Sequence, residues 1–346
     1  MKLDIELSDR EQAILAAVVD LYVKSAEPVG SRAVAQKYAL GLSPATIRNT
    51  MQDLEERGLL SQPHTSAGRV PTDLGYRYFV DRLLRPEPLS PVESDTLRKE
   101  VEGDPVALHD ILAQTSRVLS RLTNQLGVTV APVFDKGVLS RIDLVQVAHH
   151  RLLVILSVKS GLARTLLLEM DTELPASRLE ETERVLNERL VGLTLGEVRR
   201  QAAERLRDSR AEPRLIRMFV DSSERLVHRM EADEIHLGGT TQLMTQPEFR
   251  DISNLSEVLH MVEDRAPLLE WISRHELGEG IVITIGRELK AVDLERCAMV
   301  TASYRVGEVQ GTIGVIGPTR MPYSKLVSVV DFTSRLLTQV LSRGSA

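Results

Sequence analysis

The run SPATIRNTMQDLEERG (43–58), continued directly by LLSQPHTSAGRVPT (59–72), places the tightest limit on what this chain can fold into. Ser43 is a good helix N-cap, Pro44 suits the first helical position and Gly58 is a natural stop. Ile47, Met51 and Leu54 fall at i, i+4 and i+7, one apolar stripe on a helix. The following run carries two prolines and Ala67-Gly68, which predicts a reversing loop rather than a helix or a central strand. Two helices are expected before it. Ser8 or Asp9 can cap REQAILAAVVDLYVKS, with Ile14, Leu15, Val18, Leu21 and Tyr22 at helical spacing. Ser31 can open a shorter helix whose Val34 and Tyr38 share a face. Three short helices, a tight turn before the third, then strand–loop–strand is the winged-helix arrangement. Its third helix enters the major groove and its wing touches the backbone or minor groove. Leu59-Leu60 begins the first wing strand, and Val70-Pro71 closes the second.

The buried stripe determines what the third helix shows to solvent. Opposite Ile47 lie Ala45, Asn49 and Gln52, flanked by Thr46 and Arg48. Asn and Gln can pair bidentately with adenine and Arg with guanine, so Arg48, Asn49 and Gln52 are the candidates for base edges. Ser43 and Thr46 at the helix N-terminus are candidates for phosphate contacts. The wing presents His64, Thr65, Ser66 and Arg69, of which Thr65, Ser66 and Arg69 are assigned to phosphate or the minor groove. A polar face is common to soluble helices; the helix–turn–helix–wing order is what favours DNA. After the wing, Thr72 can cap DLGYRYFVDRLLR, with Tyr76, Phe79, Val80 and Leu83 as a core stripe. Arg77 and Arg82 there are further possible phosphate contacts. RPEPLSP (85–91) reads as a linker.

A chain of 346 residues suggests two or three domains. Its net charge is −6, but residues 1–85 hold 11 Lys+Arg and 11 Asp+Glu, so the acidic excess lies entirely beyond them. Any DNA affinity must therefore come from clustered arginines rather than bulk charge. No run of about 18 apolar residues suggests a membrane span, and the acidic start MKLDIELSDREQ lacks the apolar region of a signal peptide. A cytoplasmic protein is expected. The single cysteine, Cys297, sits in the alternating run CAMVTASY and reads as a buried thiol. GTIGVIG (311–317) lacks the Lys-Ser/Thr of a phosphate-gripping loop. His149-His150 on a strand would point to opposite faces, and His228 and His236 have no metal-ligand spacing. No nucleophile elbow is present. No catalytic residue, metal site or cofactor is expected, and the chain is read as a non-enzyme.

Beyond the linker, ALHDILAQTSRVLSRLTNQLG forms an amphipathic helix through Leu108, Leu112, Leu119 and Leu122. LSRIDLVQV, HHRLLVILSVKS and ARTLLLEMD form a β meander. From about 174 to 235 three Arg- and Glu-rich helices follow, and LSEVLHMVEDRAPLLEWISRHE adds another. The chain then returns to β runs, EGIVITIGRE, CAMVTASYRV and GTIGVIGP, and ends on the helix SKLVSVVDFTSRLLTQVLSR. This order suggests an α/β domain split by an inserted helical region. The pairs Leu186/Leu190, Leu215/Phe219 and Leu226/Met230 exceed what three short helices need, so an intermolecular contact is expected there. The fold class is α+β multidomain. Its parts are a winged-helix domain (1–85), a linker (86–104), an α/β domain (105–173 and 278–346) and a helical insertion (174–277).

SPATIRNTMQDLEERGLL and QPHTSAGRVPTDLGYRYFVD strongly resemble the bacterial heat-inducible transcription repressor family, HrcA. GGTTQLMTQPEFRD (238–251) and GTIGVIGPTRMPYSK (311–325) fit the same family. The wing block and the GVIGPTRMPYS block together are specific, and the four blocks spread the resemblance over essentially the whole chain. The resemblance implies that the α/β domain is GAF-like and interrupted by a dimerising segment. It also implies a homodimer that represses chaperone operons at an inverted-repeat operator (CIRCE) in double-stranded DNA. A GroE-type chaperonin would keep the repressor active until heat diverts it. Two other readings stay open. One is a winged-helix regulator controlled by a small ligand in the α/β domain; the other is an enzyme whose N-terminal domain recruits nucleic acid.

Overall fold

In the computed structural model, residues 5–64, 67–102, 108–170, 174–209, 211–227, 235–250, 280–289 and 295–343 are described, with positions 256, 260, 263 and 268. Three helices come first: α1 (Asp9–Ser25), α2 (Ser31–Lys37) and α3 (Pro44–Glu56). Ser8 caps α1 in a full capping box, its backbone N–H donating to Glu11 Oε2 at 2.7 Å. The cap of α2 is Gly30, so Ser31 stands inside the helix and is buried. Ile14, Leu15, Val18, Val34, Ile47 and Leu54 are fully buried between the three helices.

The wing follows as β1 (Leu60–Ser61) and β2 (Val70–Pro71), antiparallel with Leu60 opposite Pro71. The α1–α2 connection joins its edge. Val29 N–H donates to Arg69 O at 2.8 Å, and Arg69 N–H returns the bond to Val29 O at 2.9 Å. Gly68 makes that approach possible, because a Cβ there would stand 2.3 Å from Val29 O. Thr72 then caps α4 (Asp73–Tyr78), which widens into a π-type turn over Phe79–Leu83. Tyr76 and Tyr78, the last turn of regular helix before it, are the buried aromatics, where the sequence pointed to Tyr76 and Phe79.

Residues 91–101, expected within a linker, form α5 (Pro91–Val101), capped by Ser90 with Glu93 completing a capping box. Lys325 Nζ stands 2.7 Å from Glu93 Oε1. That bond and those from Ser90 hold the Glu93 carboxyl down at about 2, from 4.5. A depressed carboxylate stabilises the fold above the ordinary value and loses that contribution as pH falls through the depressed one. Lys325→Met should therefore melt lower than wild type at pH 6. The gap should close as the pH falls from about 4.5 towards 2, followed by circular dichroism.

The amphipathic α6 (Leu108–Thr123) leads into β3 (Leu126–Val133), then β4 (Leu139–Ala148), β5 (Arg151–Val158) and β6 (Ala163–Glu169). Three helices follow, α7 (Ala176–Leu190), α8 (Leu195–Leu206) and α9 (Pro213–Val227), then β7 (Ile235–Gly238) and the short α10 (Thr240–Met244). The chain ends through β8 (Ile281–Ile285), β9 (Cys297–Val306), β10 (Val309–Pro318) and α11 (Tyr323–Arg343). One sheet has the order β7-β3-β10-β9-β8, with β8 and β9 antiparallel from Ile281 opposite Ala302 to Ile285 opposite Ala298. Cys297 is buried at the start of β9, and the GTIGVIG glycines lie within β10.

The chain divides into two compact units. One holds residues 1–129, 235–302 and 313–334; the other holds 130–234, 303–312 and 335–346. Within the first, two arginines tie the helical N-terminal module to the later segments. Arg320 chelates Glu248 at 2.6 and 3.2 Å and donates to Val23 O at 2.5 Å and Gln246 Oε1 at 3.3 Å. Arg77 donates to Glu288 at 2.6 and 2.8 Å, to Ile283 O at 2.6 Å and to Asp81 at 3.0 Å. Arg77 is thus a structural tie, and the expectation that it contacts phosphate is corrected.

In the second unit the β meander forms its own three-stranded sheet, order β4-β5-β6, instead of adding to the larger one. The reason is amphipathicity. Leu152, Val154, Leu156 and Val158 alternate onto one face of β5, and α7, α8 and α9 supply the apolar side chains that cover it. Leu186, Leu190, Leu215 and Phe219 are buried in that core, which accounts for apolar pairs that the sequence had assigned to an intermolecular contact. The Leu226 side chain and Met230 lie outside the described residues. His149 and His150 occupy the β4–β5 turn rather than a strand.

Candidate nucleic-acid interface

The helix α3 begins at Ser43, whose Oγ accepts from Thr46 N–H at 3.1 Å and lies 3.0 Å from Thr46 Oγ1. Both hydroxyls are engaged with each other and with the cap, Ser43 exposed and Thr46 half-buried. With Ile47, Thr50, Met51 and Leu54 buried, the helix leaves Ala45, Arg48, Asn49 and Gln52 in solvent. The side chains of Arg48 and Asn49 make no hydrogen bond or ion pair with the described residues. Gln52 Nε2 donates along the helix to Glu56 Oε1 at 3.3 Å, a weak tether that a better acceptor would displace.

In the wing, His64 is exposed and its carbonyl accepts from Ala67 N–H at 2.8 Å, closing the turn. Gln62 Nε2 braces the same turn through Ala67 O at 3.0 Å. Thr65 and Ser66 lie outside the described residues. Arg69 differs from the expected free phosphate ligand. Its Nη2 stands 2.7 Å from Glu55 Oε2, and only 19% of its side chain is exposed. Through this pair and its backbone bonds to Val29, Arg69 fixes the wing to α3 and to the α1–α2 connection.

Two cations that sequence reasoning passed over join the surface. Arg32 and Lys37, at opposite ends of α2, are exposed and unpaired among the described residues. Their signal was available. Val34 is buried on α2, so Arg32, two residues before it, falls on the opposite side of the helix, and Lys37 stands exposed at the helix's last residue. Glu11 is meanwhile bridged by Arg57 at 3.3 Å, and Glu55 by Arg69, so those acids are partly compensated.

Comparison with known proteins decides what this module is. The family model described as winged helix-turn-helix transcription repressor, HrcA DNA-binding, matches residues 6–82. The model of the HrcA protein C-terminal domain matches residues 109–327. The chain belongs to the HrcA family. A heat-inducible transcription repressor HrcA of Pelotomaculum thermopropionicum is 39% identical over 345 residues, covering 98% of each chain. The HrcA of Chlorobium luteolum is 38% identical, covering 97% of this chain and 98% of its own. A crystal structure at 2.2 Å of a protein described only as hypothetical superposes with a TM-score of 0.57 at 25% identity. It covers 99% of this chain and all of its own. As a member of the HrcA family the chain is a transcription repressor with a winged-helix DNA-binding domain, and not an enzyme. Among the described residues no helix is long and apolar enough to cross a membrane.

Proposed function

We propose that the protein is a cytoplasmic repressor of chaperone operons that binds an inverted-repeat operator as a homodimer, released by heat and kept active by a chaperonin. The observation that carries the DNA reading is the exposed, unpaired Arg48–Asn49 pair on α3, beside a wing braced by Arg69. Arg48, Asn49 and Gln52 read base edges. Ser43, Thr46, His64, Thr65 and Ser66 meet the backbone or minor groove. Arg32 and Lys37 add phosphate contacts, and Arg69 acts mainly by holding the wing in place. An inverted repeat calls for a two-fold protein.

A sheet face supports the dimer. On the side of β4-β5-β6 away from the helices, Val145, Leu153 and Leu167 stand in one cross-strand row. Val145, Val147 and Leu167 are 44%, 53% and 47% exposed. Neighbouring large apolar side chains left in water mark an association surface. Leu167→Glu should leave the fold intact and shift the sedimentation of the full chain from dimer to monomer. Operator affinity should fall with it.

Family resemblance supports the chaperonin and the heat response, and the heat-inducible description of the relatives agrees with it. The test is a gel shift on an inverted repeat from a chaperonin promoter of the same genome, with and without chaperonin. A sequence-specific shift that chaperonin strengthens is expected. No specific shift in either condition would defeat the proposal.

A further inference from the structure

Gly239, Thr241 and Gln242 of the motif GGTTQ (238–242) close one side of a cavity of about 380 Å³. The other side is the solvent edge of α6. Gly239 sits at φ +82°, and a Cβ there would stand 1.6 Å from Ser120 Oγ, so only glycine lets the turn seat against α6 this closely. Ser120 is part of the lining, and its buried Oγ has no hydrogen-bond partner among the described residues.

The polar groups of this cavity fall into two halves. Arg117 is exposed and unpaired among the described residues. Thr241 Oγ1 donates to Gln242 Oε1 at 2.9 Å, an orientation that leaves the Gln242 Nε2 donors uncommitted. That half presents the Arg117 guanidinium and the Gln242 amide N–H groups as its donors to an anion. The other set is built on Glu100, which accepts from Arg121 at 2.8 Å and from Gln114 Nε2 at 3.1 Å. Its carboxylate repels an anion but keeps lone pairs for hydroxyl donors. The lining contains no aromatic or aliphatic side chain, so a stacked base or an acyl chain finds no counterpart.

We infer that this cavity binds a small polyhydroxylated phosphate ester, with the phosphate at Arg117 and Gln242 and the hydroxyls at Glu100 and Gln114. The inference is independent of the DNA reading, and its test involves no DNA. Titration calorimetry of the full chain uses glucose 6-phosphate, inorganic phosphate and glucose as probes. Glucose 6-phosphate should bind, one molecule per chain, at least ~10-fold more tightly than either fragment. Arg117→Gln should weaken it by at least ~10-fold, since a charge-assisted pair is removed. Gln242→Leu should weaken it less. Both variants alter solvent-accessible side chains and should melt as wild type without ligand. No binding of glucose 6-phosphate at millimolar concentration overturns the inference, and so does binding that Arg117→Gln leaves unchanged. Equal affinity for inorganic phosphate overturns the assignment of the hydroxyl half.

Discussion

Replacing Arg320 with alanine should destabilise the protein by about 3 kcal/mol, among the largest single-residue losses this fold can show. The Arg320 side chain is 11% exposed and that of Glu248 24%. Removing the arginine leaves a carboxylate, the Gln246 amide oxygen and the Val23 carbonyl without their shared donor, in a site that water reaches poorly. Most of the cost is the loss of Glu248's bidentate partner, which gives the prediction a second arm. In a Glu248→Ala background the same Arg320→Ala change should cost markedly less, so a double-mutant cycle in urea shows strong coupling. Equal losses in the two backgrounds would show that Arg320 acts by packing alone. The pair also explains why two of the family blocks belong together: Glu248 lies in GGTTQLMTQPEFRD and Arg320 in GTIGVIGPTRMPYSK.

The second large effect concerns binding. Arg48→Ala should weaken operator binding by about 1–3 kcal/mol and relax discrimination at one base pair of each half-site. Because Arg48 is exposed and unpaired, its loss should leave the melting temperature almost unchanged, which separates recognition from folding. Lys37→Ala offers the contrast. Without that cation all DNA sequences should bind more weakly by a similar factor, and the dependence on salt should become shallower by about one unit of slope. Fluorescence anisotropy across a salt series measures both. If Arg48→Ala binds the operator as wild type does, the exposed face of α3 is not the reading face.

The N-terminal module was legible because its signals are local. Ser43, Pro44 and Gly58 bound α3 within sixteen residues, and the stripe Ile47, Met51, Leu54 assigns its faces without reference to the rest of the chain. The helix α5 carried an equally local signal, the capping box of Ser90 and Glu93, masked by the prolines around it. Other features depend on partners far along the chain. Arg69 looks like a free wing cation until Glu55, fourteen residues earlier, is seen beside it. Arg77 finds Glu288 across 211 residues, a pairing that no periodicity announces. The meander was recognised as β structure, but its separation from the larger sheet is set by which helices cover it, and that is a property of packing.

The most direct test of the account is a hydroxyl-radical footprint of the full chain on the inverted repeat, compared with a single half-site. The account expects two symmetric protected patches centred one helical turn or a multiple of it apart, about 10–10.5 base pairs per turn. It also expects Arg48→Ala to lose both patches together at a protein concentration that saturates wild type. One continuous protected stretch, or equal protection of a scrambled sequence, would contradict it.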